Sequence, residues 1–324
     1  MDTSANKISV IGVGRWGKNI VKTLFELNAL AAVVERNEIV RDRLVKEYPT
    51  VPIYNSVETL LNHVNSAVVI ATPVNTHYEI AKHLLYANRD IFIEKPMATT
   101  AMECAELNRL AEEKQRIIMV GHVLLFQPAI PFFKEYVAQG SLGKIHALYQ
   151  VRRNLGIIHS HENALYSLAT HDLAVLDYLI NEPVACIKSI GQSITAPGIE
   201  DDVSIHLTFV SGIQAHLHVT WLWPIKDRHL TILGEKGALC FNEIEQTVTH
   251  NHYVVNQDRT ITQNRQEIVF ASNEQPLKLE MQHFMHCLRT RQTPRSFGLQ
   301  SQRVVELMER ITNCMIEDPH VCTI

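Results

Sequence analysis

The sequence has no long apolar run and no excess of charge of one sign. No stretch of about 18 apolar residues, the length that spans a bilayer, occurs in the chain. The net charge of -4 offers no basic surface to nucleic acid or to an acidic membrane. We therefore expect neither a membrane nor a nucleic acid as a partner.

Closely spaced cysteines and a secretion signal are also missing. Residues 1–6, MDTSAN, include an acid and lack the apolar segment of a secretory signal. The cysteines have no short paired spacing, which disfavours a disulfide framework and indicates reduced thiols in a cytoplasmic protein. They are Cys104, Cys186, Cys240, Cys287, Cys314 and Cys322.

Histidine is enriched, with 17 residues, but its spacing does not define a metal site. His216 and His218 would share one face of a strand and are two candidate zinc ligands. A third and a fourth ligand with matching spacing are missing. We predict surface and hydrogen-bonded histidines, and no metal site.

Short apolar strands alternate with helical patterns up to about residue 122. Such alternation predicts a parallel sheet with helices on both faces. The predicted strands are 7–11, 30–34, 66–71, 91–94 and 116–121. We assign residues 1–122 to this first, α/β domain.

The pattern changes after residue 122, because strands dominate from about 186 to 270. Helical patterns occur at 128–139, 166–179, 277–289 and 299–316. We assign residues 123–324 to a second, α+β domain with a mostly antiparallel, open sheet.

The segment between the first strand and the first helix is GVGRWG, residues 12–17, which matches G-x-G-x-x-G. The glycines allow a tight turn and a close approach of the backbone, and the helix N-terminus favours a pyrophosphate. The position between strand and helix is the context that this motif requires. We therefore predict a Rossmann dinucleotide-binding domain whose cofactor contacts Gly12, Gly14, Arg15, Trp16 and Gly17.

An acidic residue at the end of the second strand favours one dinucleotide. Glu35 lies 18 residues after Gly17 and can accept hydrogen bonds from the ribose hydroxyls. Its charge would repel a 2′-phosphate, although the adjacent Arg36 offers that phosphate a partner. We predict that Glu35 and Arg36 both lie at the ribose and that the cofactor is NAD, with NADP as the alternative.

Further polar residues follow the later strands of the predicted sheet. Ligands of open α/β sheets bind outside the carboxyl ends of the strands. Pro96 fixes its own φ and biases Lys95 towards extended geometry, so the direction of the lysine is restricted. We predict a ligand-binding edge that contains Thr72, Pro73, Lys95 and His122.

A polar stripe also lies on a predicted helix of the second domain. Ser167 and His171 are four residues apart and share a helix face, with Asn163 one turn before them. Because the other positions are mainly apolar, the stripe indicates the wall of a pocket.

In their order and spacing, these motifs resemble those of the Gfo/Idh/MocA oxidoreductases. The matching segments are GVGRWG, ATPVNTH at 71–77, EKP at 94–96 and HD at 171–172. The likeness extends over essentially the whole chain. It implies that Lys95 and His171 are catalytic, and it adds His77 and Glu94 to the expected cofactor contacts.

Within that family, the sequence is most similar to nucleotide-sugar 3-dehydrogenases. The segments RNLG at 153–156, ENALYS at 162–167 and WLWPIKDR at 221–228 resemble their motifs. Many family members carry aspartate where this chain has Ser167, so a proton relay through that aspartate is not expected here. The resemblance implies a substrate site formed by Arg153, Asn154, Asn163, Ser167 and His171.

The implied activity is NAD-dependent oxidation of the 3-hydroxyl of UDP-N-acetylglucosamine, ahead of a PLP aminotransferase in lipopolysaccharide sugar synthesis. With an ordinary pKa near 6.5, His171 suits a general base, and Lys95 would bind the reacting oxygen, although these roles can be exchanged. The alternatives are UDP-N-acetylglucosaminuronate 3-dehydrogenase, a polyol dehydrogenase, or a non-catalytic NAD-sensing regulator. The resemblance also implies a homodimer or a homotetramer.

Overall fold

The computed structural model describes residues 7–64, 66–160 and 162–317. The chain divides into two compact units, Met1–Val123 with Gln275–Val305, and Leu124–Glu274 with Glu306–Ile324. This division differs from the expected one, which placed every residue after 122 in the second domain. Residues 275–305 instead form part of the first unit.

The first unit contains a six-stranded parallel sheet in the order β3-β2-β1-β4-β5-β6. Three of its strands, β1, β5 and β6, are buried along their whole length, as expected for a parallel sheet covered on both faces. The strands are β1 (Ile8–Ile11), β2 (Leu30–Val34), β3 (Ile53–Tyr54), β4 (Ala67–Ile70), β5 (Ile91–Glu94) and β6 (Ile118–Gly121).

Helices connect these strands, and their ends follow from local chemistry. Thr100 and Glu103 form a capping box at the start of α5, and Gln115 ends that helix in a left-handed conformation. The helices are α1 (Gly17–Glu26), α2 (Glu38–Glu47), α3 (Val57–His63), α4 (His77–Tyr86) and α5 (Ala101–Lys114).

The second unit contains an eight-stranded sheet in the order β14-β13-β12-β11-β7-β10-β9-β8. Only the β7–β10 pair is parallel. The strands are β7 (Ile145–Leu155), β8 (Val184–Gln192), β9 (Asp202–Phe209), β10 (Gln214–Thr220), β11 (Leu222–Gly234), β12 (Gly237–Asn242), β13 (Thr247–Val255) and β14 (Ile261–Ala271). The predicted fold class, a Rossmann domain followed by a mostly antiparallel open sheet, is confirmed.

One face of this sheet packs against helices. Along β9, Val203, Ile205 and Leu207 are buried, whereas His206 between them is exposed. Phe133, on helix α6 (Ala129–Ala138), contacts Phe241 on β12 with ring centroids 6.4 Å apart. Helix α7 (Thr170–Ile180) also belongs to this unit.

Two helices follow β14 in the described residues: α8 (Pro276–Thr290) and α9 (Gly298–Glu317). Helix α8 packs on the first unit, because Phe284 contacts Phe92 of β5 with ring centroids 5.7 Å apart. Just after α8, Arg291 binds Asp90 with an Nη1–Oδ2 distance of 2.7 Å. These long-range contacts explain why residues 275–305 join the first unit.

None of the helices formed by the described residues is long and apolar enough to cross a membrane. No group of three or more histidine, cysteine or acidic side chains in the described part of the chain is arranged to hold a metal ion. The five described cysteines are free thiols, and Cys322 lies outside the described residues.

Candidate active site

The glycine-rich turn between β1 and α1 uses each of its glycines differently. Gly12 has φ +90°, and an added Cβ would lie 2.8 Å from the carbonyl oxygen of Ala71. A Cβ on Gly17 would lie 2.1 Å from the carbonyl oxygen of Gly12. Gly14 is exposed, and its Cβ would have no neighbour within 4 Å. Two glycines therefore allow the turn to pack, and the third leaves the backbone open to a cofactor pyrophosphate, which fits NAD.

Glu35 is held firmly at the end of β2. Its Oε2 accepts a hydrogen bond from the backbone N–H of Val13 at 2.8 Å, and its Oε1 accepts one from that of Asn37 at 2.9 Å. The carboxylate is thereby fixed against the glycine-rich turn and still has lone pairs for ribose hydroxyls. The side chains of Arg15 and Arg36 are exposed.

We expect Glu35→Ser to reduce selectivity for NAD. Hydrogen bonds to a charged group contribute about 1.5–3 kcal/mol, so the Kd of NAD is expected to rise about 10–100-fold. The Kd of NADP is expected to change less, because the repulsion of its 2′-phosphate is removed. Titration of both dinucleotides measures the ratio, and Glu38→Ser, at an exposed acid on α2, is the control. An unchanged NAD to NADP ratio would contradict the assignment of Glu35.

His77 joins the segments that follow β4 and β5. It is 1% exposed; Nδ1 lies 3.0 Å from the carbonyl oxygen of Pro96, and Nε2 lies 2.8 Å from that of Thr72. Burial lowers the pKa of His77, although the two carbonyl contacts oppose this effect. Both described polar contacts of His77 are with backbone carbonyl groups of the protein. His77 therefore holds in place the segment that contains Thr72 and the exposed Pro73.

Glu94 connects the glycine-rich turn to the end of β5. Its Oε1 accepts a hydrogen bond from Trp16 Nε1 at 2.7 Å, and its Oε2 accepts one from the backbone N–H of Lys95 at 3.3 Å. Burial raises the pKa of Glu94 to about 7, and the Trp16 bond and the charge of Lys95 act in the opposite direction. Lys95 is half-buried, and its bond to Pro96 is cis.

His122 lies in the interior near Lys95. It is 1% exposed, and its Nε2 lies 3.1 Å from Ser301 Oγ. Burial, together with the positive charge of Lys95, lowers the pKa of His122 to about 3, so the imidazole is neutral. The structure thus brings Trp16, Glu94, Lys95 and His122 together in the first unit.

The helix predicted to carry Ser167 and His171 does not begin as a regular α-helix. Residues Leu165–Ala169 form a π-helical turn, and α7 starts only at Thr170. The spacing of Ser167 and His171 is therefore not that of a regular α-helix, and the predicted shared face does not follow from it. Such π-helical turns are frequent at functional sites.

Asn163 precedes this π-helical turn and caps it. Its Oδ1 accepts a hydrogen bond from the backbone N–H of Tyr166 at 3.1 Å, and its Nδ2 donates one to Glu200 at 2.6 Å. Its contacts are therefore those of a residue that fixes the start of the helical segment.

Asp172, the residue after His171, belongs to a buried charge network that is centred on Arg152. Arg152 donates two hydrogen bonds to Asp172, from Nε and Nη2, both at 2.9 Å, and another from Nη2 to Glu243 at 2.9 Å. Arg228 donates to Glu243 at 3.1 Å and to the side chain of Asn154 at 3.4 Å. Although burial acts to raise it, the two arginines hold the pKa of Glu243 below its ordinary value.

Arg153, unlike Arg152, lies on the more accessible side of β7. Its guanidinium binds Asp227 and lies over the ring of Trp223 at 4.5 Å. The sequence motif pointed to Arg153 and missed Arg152 and Glu243. Consecutive side chains of a strand point to opposite faces of the sheet, so Arg152 and Arg153 lie on different faces. Which of the two is buried follows once the register of the strand is known.

Two family models match the chain. Residues 6–122 match the model described as an oxidoreductase family with an NAD-binding Rossmann fold. Residues 132–240 match the GFO/IDH/MocA C-terminal domain. The chain belongs to the Gfo/Idh/MocA oxidoreductase family. The predictions of this family, of an NAD-dependent oxidoreductase and of NAD as cofactor are confirmed.

Relatives of this oxidoreductase include enzymes of cyclitols and of nucleotide sugars. The inositol 2-dehydrogenase of Salmonella typhimurium is 26% identical over 71% of this chain and 72% of the relative. The UDP-N-acetylglucosamine 3-dehydrogenase of Acidithiobacillus ferrooxidans is 23% identical over 92% of this chain and 94% of the relative.

Solved structures resemble the chain over nearly its full length. That Acidithiobacillus enzyme has a TM-score of 0.84 at 22% identity, covering 95% of this chain and 97% of its own. The WlbA dehydrogenase from Bordetella pertussis, in complex with NADH and UDP-GlcNAcA, has a TM-score of 0.78 at 20% identity, covering 96% and 97%. At these identities the likeness establishes the fold.

Proposed function

We propose that this oxidoreductase oxidises the 3-hydroxyl of UDP-N-acetylglucosamine to the 3-keto sugar. The observation that carries the proposal is the position of Lys95, half-buried after β5 and adjacent to Glu94, whose carboxylate binds Trp16 of the nucleotide turn. The similarity to the UDP-N-acetylglucosamine 3-dehydrogenase covers 92% of the chain. The segments RNLG at 153–156 and WLWPIKDR at 221–228, which resemble motifs of nucleotide-sugar 3-dehydrogenases, support the nucleotide sugar as substrate.

In the proposed mechanism, the chain handles the proton of the alcohol. The glycine-rich turn and Glu35 would hold NAD, which would supply the hydride acceptor for this oxidation. His171 removes the hydroxyl proton as general base, the role that histidine fills most often in enzymes. Lys95 binds the same oxygen and stabilises the negative charge that develops on it.

The sugar and the diphosphate are assigned to residues of the second unit. Arg153, Asn154, Asn163 and Ser167 are proposed to bind them, with Ser167 as a neutral hydrogen-bond partner. Arg153 is already paired with Asp227, so its charge is balanced before any substrate binds. This pairing favours the uncharged sugar over its uronic acid, whose carboxylate needs an additional cation.

We place the reaction in the cytoplasm of the cell, ahead of a PLP aminotransferase that consumes the ketone in lipopolysaccharide sugar synthesis. We further propose that the first unit binds NAD and that the second unit provides substrate binding and the contacts of a homodimer or homotetramer.

The direct test supplies NAD with UDP-N-acetylglucosamine, its uronic acid or myo-inositol, and records NADH absorbance. Glutamate and a PLP aminotransferase are added to remove the ketone. We expect NADH and an aminated sugar from UDP-N-acetylglucosamine. A signal with the uronic acid alone or with inositol alone would replace the proposed substrate. NAD binding without a signal from any of the three would favour the non-catalytic sensor.

A further inference from the structure

A buried carboxyl group in the first unit has no part in the proposed chemistry. Glu280 on α8 is 0% exposed, and neither carboxyl oxygen has a hydrogen-bond partner among the described residues. An ionised carboxylate in such surroundings is very costly, and proteins avoid this cost by keeping the group protonated. In agreement, burial and the nearby charge of Glu94 raise the pKa of Glu280 well above its ordinary value.

The alignment of α8 with β5 places this group towards Glu94. Because Phe284 contacts Phe92, and Arg291 beyond the helix binds Asp90 before the strand, α8 runs opposite to β5. Glu280 lies about one helical turn before Phe284, and Glu94 lies on the same strand face as Phe92. Both carboxyl groups therefore lie towards the end of β5 that leads into Lys95.

The hydrogen bonds favour Glu94 over Glu280 as the carboxyl group that ionises first. Glu94 accepts from Trp16 Nε1 and from the backbone N–H of Lys95, and such donors favour its ionised form. Glu280 has no described donor, and two neighbouring buried carboxylates disfavour each other. Among the described residues, Lys95 and the neutral His122 also lie near Glu94 at this end of β5.

We propose that Glu280 is a positioning residue that stores one proton, so that the carboxyl pair has at most one negative charge, which Glu94 carries. Glu94 then holds Trp16 of the nucleotide turn and the backbone of Lys95 in place. The importance of this arrangement for catalysis rests on the proposed function of Lys95, whereas the proton storage itself does not.

The stored proton has a measurable effect on folding. A carboxyl group with a higher pKa in the folded than in the unfolded protein releases its proton on unfolding. It therefore lowers stability as the pH rises above its unfolded pKa, near 4.3. We expect the ratio of the wild-type to the Glu280→Gln unfolding constant to increase about tenfold per pH unit between about pH 5.5 and 7.5.

Urea titrations at several pH values test this expectation in the full chain. Glu112→Gln removes an exposed glutamate of the same unit and is the control. The ratio of the wild-type to the Glu112→Gln unfolding constant is expected not to change with pH. If the ratio of the wild-type to the Glu280→Gln unfolding constant also did not change with pH, the proposal would be overturned. Such a result would mean that Glu280 is ionised in the folded protein.

Infrared spectroscopy of the folded wild type provides a second test that does not depend on the folding of the variant. At about pH 8 exposed carboxyl groups are ionised, so we expect a protonated-carboxyl carbonyl band from Glu280. The band should persist in Glu94→Gln, and its absence from the wild type would contradict the proposal. Neither measurement uses a substrate, so failure of proton storage is distinguishable from failure of the proposed dehydrogenase.

Discussion

Lys95→Ala is expected to lower kcat by at least about 10²–10³-fold, the loss typical of removing one group that stabilises developing charge on oxygen. NAD binding is expected to change little, because the glycine-rich turn and Glu35 provide the contacts assigned to the dinucleotide. Steady-state kinetics with UDP-N-acetylglucosamine measure the first effect, and calorimetric titration with NAD measures the second.

A matched control separates the role of Lys95 from a general effect of charge. Lys22 on α1 has a side chain that is 71% exposed and lies 3.9 Å from Glu26, so Lys22→Ala is expected to leave kcat unchanged. If Lys95→Ala weakened NAD binding as strongly as it lowered turnover, Lys95 would have to be reassigned to the cofactor.

Arg152→Met is expected to destabilise the second unit by about 3–5 kcal/mol, because it leaves Asp172 as an uncompensated buried charge. The side chains of Arg152 and Asp172 are 7% and 3% exposed, so water replaces little of the lost interaction. Urea denaturation, followed by the fluorescence of Trp221 and Trp223, measures the effect on this unit.

The neighbouring arginine provides the comparison. Arg153 and Asp227 are both 22% exposed, and a pair of this kind contributes about 0–1 kcal/mol. The Arg153→Met variant is therefore expected to have a free energy of unfolding close to that of the wild type. Its KM for the nucleotide sugar is expected to be higher. Equal losses of stability in the two variants would contradict the distinct roles given to the two arginines.

The Rossmann half of the protein could be predicted from sequence because its signals are local. The spacing of Gly12, Gly14 and Gly17 and the acid at Glu35 reflect the geometry of one turn and one strand end. Continuous apolar runs predicted the buried strands β1, β4 and β5 for the same reason. The edge strand β3 has only two residues, too few to produce a periodic pattern.

The placement of α8 required the tertiary structure. Its sequence predicts an amphipathic helix, but only the contact between Phe284 and Phe92 reveals that it packs on the first unit. The burial of Glu280 is a consequence of that packing, since a glutamate in a helix is ordinarily exposed.

By itself, the sequence determined the fold class, the family and the dinucleotide turn, because these depend on residues close together in the chain. Only the tertiary structure decided that Arg152 is the buried arginine, that Glu94 binds Trp16 and that His77 and His122 point into the interior. The physical reason is that burial and charge pairing depend on strand register and on contacts between residues distant in sequence. Partners such as Arg152 and Glu243 are separated by 91 positions, a distance over which local patterns carry no information.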